Sequence, residues 1–132
     1  MITIGSTEGE HVLLTQFSRF DDAGFCIASA EVQVTGFVGK TDPYLAIRDL
    51  AVLREGIIAL HENLSGVAKF SPIEDELTFE LKGDGKGHVL VKGQITNYAG
   101  GANNQLLFEF EIDQTFLPSI AKSIEEVLHS NA

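Results

Sequence analysis

The sequence predicts an α+β fold, a curved antiparallel β-sheet with two amphipathic helices packed on one face. Apolar and polar residues alternate along most of the chain, the mark of strands with one buried and one wet face. Two stretches depart from that alternation. In Leu50, Leu53, Ile57, Leu60 and Leu64, and again in Leu117, Ile120, Ile124, Val127 and Leu128, apolar residues recur at helical spacing and form one stripe each. Composition agrees: 44% hydrophobic and 21% charged residues over 132 positions is ordinary globular usage, which excludes disordered, collagen-like and coiled-coil readings. A chain of this length buries roughly two-thirds of its unfolded surface. Residues 1–132 are therefore expected to form a single domain without a metal or disulfide staple.

The elements follow in order. His11 to Phe17 reads as a weakly patterned first strand, ended by the turn residues Asp21-Asp22-Ala23-Gly24. From Phe25 to Thr35, Cys26, Ala28, Ala30, Val32 and Val34 share one face and Ser29, Glu31, Gln33 and Thr35 the other, which predicts one long strand entering a hairpin near Gly36 to Gly39. Tyr44-Leu45-Ala46-Ile47 fits a short strand or a first helical turn. Asp42-Pro43 and Asp49 compete as the start of the helix, and Asp49 capping a helix from Leu50 is preferred. Gly56 costs that helix about 1 kcal/mol relative to alanine, so packing must hold it, and Gly66 is expected to end it.

After Ser71-Pro72, Leu77, Phe79 and Leu81 face inward against Glu76, Thr78, Glu80 and Lys82. The turn Gly83 to Gly87 follows, then Val89, Val91 and Ile95 opposite His88, Lys92 and Gln94, and a second turn at Asn97 to Asn104. In the last strand Leu106, Phe108, Phe110 and Ile112 alternate with Leu107, Glu109, Glu111 and Asp113, a register that burial fixes. Asp113 or Thr115 caps the final helix. Strands with one polar face and two such helices bury themselves by stacking the helices on the apolar side, so Val32, Phe79, Phe108 and Phe110 are expected to face the helices.

Charge narrows the function classes. Nineteen acidic and nine basic residues leave a net charge of −10, which repels nucleic acid and favours encounter with a basic protein, although acidic balance also serves solubility. Cys26 is the only cysteine, so no internal disulfide can form. The N-terminus Met1 to Gly5 carries no basic residue before Arg19 and no long apolar run follows, so neither a secretory signal nor a membrane span is expected. A cytoplasmic protein is the expectation, in which the sequon Asn63-Leu64-Ser65 has no role.

No constellation in the chain points to catalysis, metal or cofactor binding. Gly83-x-Gly85-x-Gly87 resembles a phosphate-cradling loop, but a strand follows where a helix N-terminus is required. His11, His61, His88 and His129 fall on different elements without ligand spacing. Cys26 falls on the buried face, and Glu74-Asp75-Glu76 reads as a solvated run. By parity Glu31, Glu76, Glu80, Glu109 and Glu111 all land on the polar side of the sheet, with Lys82 and Lys92 as the main counter-charges. That open face is expected to be acidic, and these five glutamates are the candidate partner-binding residues. Glu109 and Glu111 could also serve a glycosidase or a metal, but a wet sheet face without a cleft serves them poorly.

Three stretches carry a likeness. Asp49-Leu50 opens a helix that ends near Gly66-Val67-Ala68, Gly87-His88-Val89-x-Val91-x-Gly93 follows, and Phe108-x-Phe110-x-x-Asp113-Gln114-Thr115-x-Leu117 comes last. In that order and spacing, over roughly residues 25 to 130, the chain resembles the WapI-like immunity proteins of bacterial contact-dependent toxin systems. The resemblance implies a cytoplasmic protein that binds and blocks a cognate toxin domain, often a basic nuclease. These motifs are turn glycines, core aromatics and a cap, so no binding residue is carried across, and the sequence sets no oligomeric state. A helix-grip carrier of a small ligand, a structural or oligomeric domain, and an enzyme are the rival readings.

Overall fold

The computed structural model describes residues 1–132. The strands are β1 (Ile2–Gly5), β2 (His11–Thr15), β3 (Phe25–Ile27), β4 (Ser29–Val34), β5 (Phe37–Thr41), β6 (Tyr44–Ala46), β7 (Ser65–Phe70), β8 (Leu77–Asp84), β9 (His88–Asn97) and β10 (Asn104–Asp113). Helix α1 spans Ile47–Asn63 and α2 spans Leu117–Ser130. The class is α+β with antiparallel strands, as the alternation predicts. The strands do not form one continuous sheet: they make a four-stranded sheet β1-β2-β4-β5, a second four-stranded sheet β10-β9-β8-β7, and a ribbon β3-β6.

The expected long strand from Phe25 is interrupted. Cys26 pairs with Leu45 and Ala30 with Thr41, so one register runs through both β3-β6 and β4-β5. Between them Ala28 lies opposite Pro43, which has no N–H to give, and only the bond from the Ala28 N–H to the Pro43 carbonyl remains at 3.1 Å. The proline divides one hairpin into a sheet part and a ribbon. Two strands escape the sequence reading altogether: β1, which pairs with β2, and β7, which pairs with β8.

Neither expected helix start is the observed one. Helix α1 begins at Ile47, with Ala46 in extended conformation at its N-cap, and Asp49 occupies the third helical position. There the Asp49 carboxylate accepts the Ala46 N–H at 2.8 Å, so the acid satisfies the cap from inside the first turn. Asp42 does not start the helix because β6 intervenes. Leu64, in left-handed conformation at φ 61°, ends the helix two residues before the expected Gly66, and the chain enters β7 at once. At the other end, the Asp113 side chain accepts the Thr115 N–H at 2.9 Å and caps a 3₁₀ turn, Gln114–Phe116, from which α2 starts.

A core of 29 buried residues draws on both four-stranded sheets, the ribbon and both helices. Helix α1 packs along β7 and against α2, and α2 reaches β1. Gly56 is what permits the first contact, because a Cβ there would lie 2.9 Å from Cα and Cβ of Ala68. Val32, Phe79, Phe108 and Phe110 are buried, but the helices alone do not cover them. The Phe110 ring lies beneath β1, 3.1 Å from where a Cβ of Gly5 would stand. The two sheets therefore bury part of each other's apolar faces. Asn97 fastens them, donating from Nδ2 to the Lys40 carbonyl at 2.8 Å.

Candidate functional site

The outer face of the second sheet is the surface that the glutamate parity singles out. Register sets its side chains in cross-strand rows. Lys69 pairs with Glu80, Glu80 with Lys92, and Lys92 with Glu109, giving one row of alternating sign across four strands. Two residues along each strand a second row follows, in which Thr78 pairs with Gln94 and Gln94 with Leu107. Between the rows run Phe70, Phe79, Gly93 and Phe108, whose side chains turn inward or are absent, so their backbone forms a floor. Floor and walls enclose a shallow open depression of about 530 Å³. A charged wall faces a neutral one across it.

The five candidate glutamates do not share this face. Glu80, Glu109 and Glu111 lie on it. Glu76 precedes β8, where its carboxylate accepts the Tyr44 N–H at 3.3 Å. Glu31 belongs to β4 in the first sheet, because the strands are divided between two sheets. It receives His11 Nε2 at 3.0 Å and Lys40 Nζ at 3.7 Å. The face is also less acidic than expected. Lys69, on the strand β7 that the alternation does not reveal, joins Lys82 and Lys92 there, and three lysines oppose Glu80, Glu109 and Glu111. The charges are nevertheless sorted: β7, β8 and β9 each carry a lysine, while β10 carries Glu109, Glu111 and Asp113 with no base. None of the structure's four ion pairs engages Glu80, Glu109 or Glu111, so these carboxylates are free to meet another molecule.

The remaining titratable groups serve the scaffold. His11 is buried, its Nδ1 3.0 Å from the Ser6 carbonyl and 2.9 Å from that of Gly9, its Nε2 on Glu31. The two carbonyls and the Glu31 carboxylate are acceptors, an arrangement that favours the imidazolium form, in which both ring nitrogens donate. Burial alone would lower its pKa, but the Glu31 hydrogen bond and the two carbonyls together raise it. The His11 bond in turn lowers that of Glu31. Cys26 is buried, and burial with the nearby Asp21 charge pushes its thiol up to about 11, which leaves no thiolate for nucleophilic work. In the Gly83–Gly87 region Asp84 accepts the N–H groups of Lys86 at 2.7 Å and His88 at 3.1 Å, forming a hairpin turn and no phosphate cradle. No three His, Cys, Asp or Glu side chains converge in metal-binding geometry.

Residues 4–131 match the Immunity protein WapI-like family. No curated protein matches the chain. Among solved structures, the CdiA-CT/CdiI toxin and immunity complex from Enterobacter cloacae is similar at 9% identity and a TM-score of 0.49, over 89% of this chain and 99% of that one. The plant transcriptional regulator PBF-2 is similar at 12% identity and a TM-score of 0.47, over 99% of this chain and 83% of that one.

Proposed function

The chain belongs to the Immunity protein WapI-like family, and from that membership we propose that it neutralises a cognate bacterial toxin domain by protein–protein contact. The family match over residues 4–131 is the observation that carries this reading. It gives the open sheet face a use: a rigid surface, backed by a shared core, that needs no chemistry of its own to occlude another protein. The net charge of −10 favours a basic partner and disfavours nucleic acid. No helix is long and apolar enough to cross a membrane. In this reading the protein acts in the cytoplasm as a binder, not a catalyst. A specific interface of this kind buries about 800 Å² per partner, and steering by the acidic protein speeds its formation.

Co-expression with a candidate cognate toxin domain, sought first in the adjoining gene, tests the proposal. Protection of the host cell, together with a stable complex of the two purified proteins on size exclusion, is the expected result. Loss of viability despite soluble chain, with no complex at micromolar concentrations, would overturn it.

A further inference from the structure

Strand β10 is ten residues long and stands at the margin of its sheet, paired with β9 alone. In an antiparallel strand the N–H and C=O of one residue point to the same neighbour and those of the next residue to the other side. The Thr96 N–H donates to the Glu76 carbonyl at 2.8 Å, on the β8 side. Hence Ile95, Gly93, Val91 and Val89 turn their backbone groups to β10, where their partners are Leu106, Phe108, Phe110 and Ile112. The bond from the Gln114 N–H to the Gly87 carbonyl, 2.9 Å, continues the same phase. The groups left pointing outward along the strand are those of Gln105, Leu107, Glu109 and Glu111, and no other strand takes them up; at Asp113 the edge ends in the 3₁₀ turn that this residue caps.

Helix α1 packs on β7, at the opposite end of the second sheet, and β5 is tied to β9 through Asn97. The β10 edge is left open, and its side chains state what can pair with it. Glu109, Glu111 and Asp113 are exposed on the outer face, and Leu107 is 70% exposed beside them. On the inner side Phe108, Phe110 and Ile112 are buried and end the apolar layer. Two copies of β10 laid antiparallel would set carboxylate against carboxylate, which opposes self-pairing.

We propose that the β10 edge receives an extended segment of a partner protein, with Lys or Arg alternating with apolar residues, as a fifth strand of the second sheet. The basic residues of the segment meet Glu109, Glu111 and Asp113 across the new ladder, and its apolar residues extend the layer of Phe108, Phe110 and Ile112. Main-chain hydrogen bonds supply affinity and the alternation supplies specificity, the physics of strand addition. The identity of the partner as the toxin rests on the function proposed above; the edge itself does not.

Leu107→Pro removes one outward N–H without changing charge, and leaves intact the ladder bonds that Leu106 and Phe108 make to β9. Leu107→Thr keeps the N–H and serves as the control. With both variants folded by circular dichroism and thermal melting, Leu107→Pro is expected to weaken binding of the cognate toxin domain at least tenfold, and Leu107→Thr less than threefold. Hydrogen exchange should show the amides of Leu107, Glu109 and Glu111 becoming protected in the parent complex. Equal binding by Leu107→Pro and parent, with those amides still exchanging, would overturn the edge while leaving toxin neutralisation standing. If the parent binds no toxin, a synthetic peptide of alternating lysine and valine decides. Protection of the same amides in the parent and not in Leu107→Pro supports the edge, and protection in neither removes it.

Discussion

His11 donates from Nε2 to Oε2 of Glu31 at 3.0 Å, joining β2 to β4 across the first sheet. With Lys40 on the far side of Glu31 and the Ser6 and Gly9 carbonyls behind the ring, the pair fixes the β1–β2 hairpin to its neighbour. A histidine whose folded pKa is raised contributes stability that is complete below the unfolded value, about 6.5, and is lost as pH rises through the folded value. Glu31, whose pKa is lowered, contributes above its unfolded value of about 4.3 and loses that contribution as pH falls. Unfolding free energy is therefore expected to decline from mildly acidic toward alkaline pH. His11→Gln should flatten that decline and cost about 1–3 kcal/mol at low pH by leaving buried acceptors unpaired. Denaturant titrations across pH check it, and parallel pH curves for parent and variant would contradict the imidazolium assignment.

Gly56→Ala is expected to destabilise the protein by about 1–3 kcal/mol, the usual range for overpacking. On helix propensity alone alanine would gain about 1 kcal/mol, so the two effects oppose each other. The contact decides the sign, since the new Cβ would stand 2.9 Å from backbone and side chain of Ala68 on β7. A rise in melting temperature would mean that α1 and β7 separate easily.

Phe110→Ala should cost about 3–5 kcal/mol, the range for emptying a buried aromatic site. Its ring is 5% exposed and lies beneath Gly5, so the vacated space adjoins the first sheet and the β1 amides should lose exchange protection first. A loss under about 1 kcal/mol in urea unfolding would show that the sheets do not depend on this contact.

Much of this architecture was legible in the sequence because burial writes a period into it. The register of β10, with Phe108, Phe110 and Ile112 in and Glu109 and Glu111 out, follows from alternation alone, and so do the α1 and α2 stripes. What escaped is short or weak in contrast: β1 alternates Ile2 and Ile4 with Thr3 and Gly5, but over four residues only. In β7, Ser65-Gly66-Val67-Ala68-Lys69-Phe70 follows the helix with no turn residue at the junction, because Leu64 adopts the left-handed cap that glycine usually marks. With β7 unseen, Lys69 could not be placed on the face, and the face looked more acidic than it is. Parity assigns a side of a strand but not a sheet, which is why it groups Glu31 with glutamates from which the structure parts it. The open edge of β10 depends on strand order, which no local pattern encodes.

Reversing charge on β10 should change how fast a basic partner arrives. On the outer face Lys69, Lys82 and Lys92 offset three glutamates in number, so the face as a whole steers weakly; attraction concentrates where Glu109, Glu111 and Asp113 stand together beyond the last lysine. Both glutamates are exposed and outside every ion pair, so Glu109→Lys with Glu111→Lys should leave the fold intact. Association with the toxin domain is expected to slow about tenfold or more at low salt, within the range for removed steering charges. The difference should shrink as ionic strength approaches about 0.15 M, where the screening length falls to about 8 Å. Lys82→Glu with Lys92→Glu should act in the opposite sense and speed association, because it extends the acidic margin inward. Stopped-flow kinetics over a salt series separates the cases. If both pairs of substitutions leave the on-rate unchanged at low salt, the partner reaches the protein by another surface and the excess acid serves solubility alone.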